Sequence, residues 1–412
     1  MLLASPHISI IRGTSLYVAL RTVIAGANLL KNNHHSSGYI GNLILYLYRI
    51  GSRKHSFSNY KIMKTFFRIS LFLLIAAVTV TGIMFGPLVK GAMSVSKLDE
   101  GIYCLEFSGD DGFAGFLEQG GAADAAGLSV YIADFLSHGF AKQPEIEPVE
   151  QNFGCSTMAA ITPDGTRLMG RNFDWQDCQC IIAKVNPKGG YRYISAFNPD
   201  FLGFGPDWKP EGFANQYIAL ATLFTALDGV NEKGLAVANL TVGENAEIHQ
   251  DNGKPDLTTT CAIKYLLKTA ASVDEAVALL EGIDFHSDIG ALHHLSISDA
   301  SGRSVVVEWV DDRMVVTDSP IVTNHYLCPE NFGAGLHEGD RRFETLQGIR
   351  DSLGATMSEA QMLDAMSAAW QSWSQAPVTN GGTQWTALFN LSKPGADYIW
   401  QRDTAKRFHF DL

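Results

Sequence analysis

Apolar and polar positions fall into three regimes along the 412 residues. From 69 to 89 runs an uncharged, mostly apolar stretch of 21 residues. As a helix rising 1.5 Å per residue it is about 31 Å long, enough to cross a bilayer. From 99 to 154 the spacing turns helical, first over 113–117 and then over 122–140, where Leu128, Tyr131, Ile132, Phe135 and Leu136 recur at helical intervals. After Cys155 strand signals dominate. Two strands flank Thr162-Pro163-Asp164-Gly165-Thr166, whose proline presets φ and whose glycine accepts positive φ, so the chain reverses there. Strands are predicted at 218–223 and 235–242, around a turn-rich connection over 228–234. Helices are expected over 261–271 and from a capping box at Ser272-Val273-Asp274-Glu275 to Gly282. A meander follows at 292–298, 304–310, 314–317 and 321–324. Next comes a helix from near Ser358 with Met362, Leu363, Met366, Ala369 and Trp370 on one face, then final strands at 383–391 and 398–401. Strands, then helices, then more strands without strict alternation predict an α+β fold. Its antiparallel sheets are covered by helices, unlike a parallel doubly wound sheet.

Charge separates the front from the body. No Asp or Glu precedes Asp99, while eleven Lys and Arg do; residues 99–412 hold all 43 acids against 20 of the 31 bases, a formal −23. So acidic a body argues against a nucleic-acid partner, which needs a basic face. Arg53, Lys54, Lys61, Lys64 and Arg68 precede the apolar stretch and only Lys90 follows closely, so the positive-inside bias sends the body across the membrane. Residues 63–92, opening on Met63-Lys64-Thr65, are read as a signal peptide or signal anchor, with small residues at Gly91-Ala92 but no clean Ala-x-Ala site. The body is then exported, to be periplasmic, extracellular or membrane-anchored, with membrane contact through 69–89 where that segment is not cleaved. Residues 1–62 are read as an N-terminal extension, from a mistaken start in preference to a targeting peptide. The six cysteines form neither a disulfide framework nor a zinc pattern, and Cys178-x-Cys180 is too tight for a metal-ligand pair. Export permits one disulfide, of unreadable pairing. No metal and no cofactor is expected.

The candidate chemistry sits in the hairpin. Counting outward from its turn sets Cys155 opposite Asn172 or Phe173, so Arg171 and Asp174 flank the thiol. A cation favours thiolate, the reactive form, whereas a carboxylate opposes it, and Asp174 therefore needs another role. Scission between Gly154 and Cys155 supplies one. The freed α-amino group, with a pKa of about 8, takes the thiol proton and is oriented by Asp174. This spacing suggests an N-terminal nucleophile. Pro144 and Pro148 mark 143–149 as an extended linker joining a pro-segment, 93–154, to a catalytic domain, 155–412. A buried strand cysteine beside a surface ion pair is the bland alternative. His325, beside Asn324, offers a Cys/His pair that needs no scission. His293 and His294 alternate across a strand and are read as structural.

In chain order these pieces resemble the choloylglycine hydrolase family, which includes conjugated bile acid hydrolases and penicillin V acylases. Its nucleophile and Gly-Arg-Asn-x-Asp strand match Cys155 and 170–175; its signature turn matches 228–238; its core hairpin matches 297–308. The strand end bearing its essential asparagine matches Val322-Thr323-Asn324, its second arginine falls on Arg342, and its penultimate strand matches Thr383-Gln384-Trp385-Thr386. The resemblance implies an αββα sandwich of the N-terminal-nucleophile hydrolase type, two mainly antiparallel sheets between helical layers. It also implies hydrolysis of a linear, non-peptide amide through an acyl-thioester on Cys155. Asp174 holds the amine, Arg171 and Arg342 set the field around sulfur, and Asn324 donates to the oxyanion. Thr241 stands where the family often has Asn or Tyr, at a position that can offer its backbone N–H to the oxyanion. Scission before Cys155 is required, because Cys155 follows about 60 residues of pro-segment. The implied partner is a small-molecule N-acyl amide, and self-association into a homo-oligomer is a further expectation. The loop 198–208, with Phe201, Leu202, Phe204 and Trp208, suggests an apolar acyl or ring group. An acyltransferase of the same architecture, or a non-catalytic membrane-tethered binding protein, are the competing functions.

Overall fold

The computed structural model describes residues 57–137, 154–244, 247–288, 290–335, 337–372 and 381–412. The expected linker at 143–149 and most of the extension, 1–56, lie outside these residues. Two compact units divide the chain, 1–82 and 83–412. Within the first, every described residue belongs to helix α1 (Phe57–Ser94), on which Phe67, Ile69, Leu71, Phe72 and Leu73 are exposed. Among the described residues no helix is long and apolar enough to cross a membrane; the side chains of 74–81 fall outside that description. In the second unit, Leu88, Ala92 and Val95 are buried in the main core. The end of the apolar stretch is thus part of the folded body.

The expectation of helix from 99 onward is corrected at its start. β1 (Ser96–Asp99) pairs with β2 (Ile102–Gly109), and β2 lies parallel to β5 (Cys180–Pro187) over eight residues. Ile102-Tyr103-Cys104-Leu105 is buried at four successive positions, as for a strand covered on both faces. Helices α2 (Phe113–Glu118) and α3 (Ala125–Ser137) then follow where helical spacing is clear. The hairpin forms as expected: β3 (Gly154–Ile161) and β4 (Arg167–Trp175), with Gly165 at φ 88° in the turn.

Next come β6 (Tyr193–Phe197), a 3-10 turn at Pro199–Leu202, the short helix α4 (Gly212–Ile218) and a second 3-10 segment, Ala219–Leu223, in place of the strand expected at 218–223. β7 (Asp228–Asn231) and β8 (Ala236–Glu244) form a tight hairpin, so part of the expected connection is itself strand. β9 (Asp256–Thr258) leads into α5 (Thr259–Thr269). α6 (Val273–Leu280) follows, capped by the Ser272 hydroxyl, which accepts the Glu275 N–H at 3.3 Å. β10 (Asp284–His286) pairs with β9. β11 (Ala291–Ser298), β12 (Ser304–Val310) and β13 (Arg313–Asp318) form the expected meander. β14 (Ile321–Val322) leaves it to join the other sheet. α7 (His337–Leu353), not anticipated, precedes α8 (Glu359–Ala368), whose Ser358/Gln361 capping box is complete. β15 (Gly382–Asn390), β16 (Gly395–Trp400) and β17 (Arg407–Asp411) end the chain.

These strands make a nine-stranded sheet in the order β1-β2-β5-β6-β7-β8-β11-β12-β13 and a six-stranded sheet in the order β14-β3-β4-β15-β16-β17. All pairings are antiparallel except β2–β5 in the large sheet. The sheets face each other through β3 against β8 and β7 against β16. On the far side of the large sheet α5 covers β7 and β8, and α6 covers β12; on the far side of the small sheet α7 and α8 cover β3 and β4. A separate apolar cluster, including Met158, Leu168, Leu346, Met362 and Met366, fills that last layer. The result is the helix–sheet–sheet–helix sandwich expected above.

Candidate active site

Strand parity decides which side chains meet. Cys155 lies opposite Phe173, Gly154 opposite Asp174 and Thr157 opposite Arg171, the second of the two registers the turn allows. Because successive residues alternate across a strand, Cys155, Arg171 and Phe173 face the large sheet, while Gly154, Asn172 and Asp174 face α7 and α8. Phe173 accordingly packs in the inter-sheet core, and the Asn172 side chain donates to the Met366 carbonyl of α8. Arg171 and Asp174 thus approach Cys155 from opposite faces rather than flanking the thiol on one.

Arg342 of α7 links the pieces on the helix side. Its Nη1 donates to the Cys155 carbonyl at 2.8 Å and to Asp174 Oδ2 at 2.6 Å, and its Nη2 donates to Asn324 Oδ1. The pairing of Ile321 with Met158 and Val322 with Thr157 brings Asn324 level with Cys155. Asn324 Oδ1 accepts the Cys155 N–H at 2.7 Å, and its Nδ2 donates to the Thr241 carbonyl at 2.6 Å. Thr241 therefore reaches the site through its C=O in this chain. The second Nδ2 hydrogen of Asn324 is the donor available to an oxyanion. Asp174 Oδ1 accepts from the Thr383 hydroxyl at 2.6 Å, which itself accepts the Gln371 N–H at 2.9 Å. Both flanking peptide groups of Cys155 are thereby fixed.

On the other face Arg171 is fully buried. Its Nε lies 2.9 Å from Asp228 Oδ2, an ion-pair contact without hydrogen-bond alignment, and its Nη2 donates to the Asn239 carbonyl at 3.2 Å. Its guanidinium stands 4.8 Å from the Phe173 ring centre. Asp228 also accepts from the Trp385 indole at 2.8 Å and the Tyr398 hydroxyl at 3.1 Å. Sequence reasoning missed Asp228, read only as a turn residue, and Thr383. A carboxylate directly after the apolar run Leu223-Phe224-Thr225-Ala226-Leu227 was the available signal, since a buried charge demands a partner.

Burial pushes the Cys155 thiol up from its ordinary value; Arg171 and Arg342 pull it down, and Asp174 adds to the rise. Burial likewise raises Asp174 against Arg342, the Thr383 hydroxyl and Arg171, and raises Asp228 against Arg171 and its two ring donors. A thiol held protonated needs a base to act as a nucleophile.

The strand end carrying Asn324 is braced from behind. His294 Nε2 lies 2.8 Å from the Thr323 carbonyl and its Nδ1 3.1 Å from Glu308, which accepts the N–H groups of Leu327 and Cys328 at 2.8 and 2.7 Å. His293 is buried and its pKa is driven down to about 3 by desolvation, which leaves it neutral. His325 Nδ1 faces the Thr323 hydroxyl at 3.0 Å. In the loop 198–208, Phe201 lies tilted 5.1 Å from Trp175 and 6.5 Å from Phe173, and Phe204 stacks on Trp208 at 4.8 Å. All six cysteines are free and buried, so the disulfide that export permitted is not formed. Among the described residues no cluster of His, Cys, Asp or Glu is arranged to hold a metal ion.

Residues 155–326 match the family model of the linear amide C–N hydrolases, choloylglycine hydrolase family. That match runs from Cys155 through the strand end bearing Asn324, 172 of the 412 residues. A penicillin V acylase of Pectobacterium atrosepticum is 36% identical over 103 residues, 22% of this chain and 27% of that protein. A bile salt hydrolase/transferase of Clostridium perfringens is 25% identical over 187 residues, 40% of this chain and 51% of that protein. The chain thus spans about a quarter and a half of the curated relatives it matches. Among solved structures, a mutant conjugated bile acid hydrolase from Clostridium perfringens aligns with TM-score 0.45 at 19% identity, over 63% of this chain and 92% of that one. The penicillin V acylase from Agrobacterium tumefaciens aligns with TM-score 0.43 at 19% identity, over 60% and 83%.

Proposed function

We propose that the protein is an exported cysteine hydrolase of linear, non-peptide C–N amide bonds, activated by scission of its own chain before Cys155. One observation carries this reading: Arg342 and Asn324 grip the carbonyl and the N–H of Cys155, and Arg342 is paired with Asp174. A buried strand cysteine ordinarily has its peptide groups met by backbone, whereas here side chains from two distant segments take both its N–H and its C=O. In the cut chain the Cys155 nitrogen becomes an α-amino group beside Asn324 Oδ1, and it takes the thiol proton that burial otherwise retains. Sulfur attacks the substrate carbonyl, an Asn324 N–H meets the developing oxyanion, and the amino group returns the proton to the leaving amine. Water then releases the acid from the thioester.

The substrate class is a small N-acyl amide whose apolar acyl or ring group meets the aromatic loop 198–208. Residues 93–154 act as the pro-segment and 155–412 carry the chemistry. Export is supported by the basic residues before 69–89 and the acidic body after them. A second reading, transfer of the acyl group to an amine, is favoured by the name of the Clostridium relative, a hydrolase/transferase. A panel of N-acyl amides incubated with and without an added amine tests both. Release of free acid by the wild type and not by Cys155→Ala supports hydrolysis; acylated amine in preference to acid supports transfer; turnover by Cys155→Ala removes the thiol from the mechanism.

A further inference from the structure

Gly154 stands in a strand, where glycine is unfavourable, and its φ is not in the left-handed region that would require it. The need is one of space. A Cβ built on Gly154 lies 2.8 Å from Asp174 Oδ2, 3.2 Å from Asp174 Cβ and 3.2 Å from Arg342 Nη1. The carboxylate cannot swing aside freely, because Arg342 holds one oxygen and the Thr383 hydroxyl the other, each at 2.6 Å. The position that a side chain of residue 154 would take is therefore occupied by the Asp174 carboxylate, which Arg342 bridges to the Cys155 carbonyl.

We infer that Gly154 is the specificity determinant of self-scission: the clamped Asp174 carboxylate fills the only space for a side chain, so the site accepts glycine alone before the scissile bond. This deepens the scission reading and rests on it. In the step concerned, Cys155 Sγ bonds to the Gly154 carbonyl carbon, the C–N bond to Cys155 breaks, and the thiol proton passes to the freed nitrogen. Water then adds to the thioester, leaving a carboxyl group on Gly154 and a proton on sulfur. A methyl group at 154 displaces Asp174 from Arg342 or tilts the scissile carbonyl away from sulfur, and either slows the first step. Once the bond is cut, residue 154 is no longer joined to Cys155, so turnover per free Cys155 terminus is unaffected.

The test follows intact mass over time for the full chain as wild type, Gly154→Ala and Gly154→Val, with turnover normalised to the free Cys155 terminus. The expected result is scission slowed at least about tenfold by Ala and abolished by Val, with wild-type turnover per cut molecule for Ala. Thr383→Ala added to Gly154→Ala frees one carboxylate oxygen and speeds scission relative to Gly154→Ala alone. That rescue decides the matter even where Gly154→Ala folds poorly, since misfolding is not relieved by deleting a second buried contact. A wild type that is cut and a Gly154→Ala that is cut equally fast overturn this inference alone, as does absence of rescue. A wild type that is never cut overturns the scission reading and this inference together.

Discussion

Arg342 Nη1 sits 2.6 Å from Asp174 Oδ2 and 2.8 Å from the Cys155 carbonyl, so one guanidinium nitrogen joins the Asp174 carboxylate to the backbone of Cys155. The other nitrogen reaches Asn324. Holding all three acceptors at once takes two nitrogens in a planar fork, which a single ammonium does not supply. Arg342→Lys keeps the charge and loses the bridge, and is expected to lower both scission and amide turnover on the order of 100-fold while the protein stays folded. Steady-state rates and intact mass read both effects.

Asp228 faces Arg171 and damps its field at the thiol. Burial holds the Cys155 thiol up while Arg171 pulls it down. Asp228→Asn removes the compensating charge, so the thiol ionises at lower pH. Alkylation of Cys155 by iodoacetamide, followed across pH, is expected to begin at more acid pH in Asp228→Asn than in wild type. Loss of one partner of a buried pair also costs about 3–5 kcal/mol of stability, which thermal unfolding reads separately.

The segment before Cys155 is built into the sandwich. Beyond the β2–β5 pairing, Asp111 is buried between Lys264 and Lys268 of α5, at 2.9 and 2.6 Å. The two cut pieces are therefore expected to remain together, co-eluting on size exclusion. Asp111→Asn leaves two buried ammonium groups without their anion, costs about 3–5 kcal/mol and releases the N-terminal piece. The two lysines hold the Asp111 carboxyl below its ordinary value against the cost of burial. Its contribution is thus present above the unfolded-state pKa of about 3.9 and is lost as pH falls through the lower folded value. Co-elution should fail in acid and not at mildly alkaline pH.

Leu88 and Ala92 are buried in the main core, and a Cβ on Gly91 would meet the Phe107 ring at 2.9 Å and the Leu220 side chain at 3.0 Å. A leader cut at Gly91–Ala92 would strip Leu88 from the core, at about 2–4 kcal/mol or more. N-terminal sequencing of exported protein is expected to find any leader cut before Leu88; a terminus at Ala92 contradicts this.

Local rules made the hairpin, the two capped helices and the meander legible, because turn residues and period-2 alternation suffice for them. Cys155, Arg171 and Asp174 were legible for the same reason, being set by one register. Asn324, Arg342 and Thr241 came through resemblance, since nothing local ties a strand end or a helix position to a cysteine more than 80 residues away. The pairing of Arg171 with Asp228 and of Asp174 with Thr383 joins strands distant in sequence, which only the closed sandwich brings together. The strand at 102–109 was missed because burial on both faces over 102–105 erases alternation in its first half.

The most direct test is the mass of the purified protein, wild type beside Cys155→Ser. The account predicts an active wild type whose larger piece begins at Cys155, and a variant that is largely uncut and nearly inactive. Active protein with the 154–155 bond intact contradicts it.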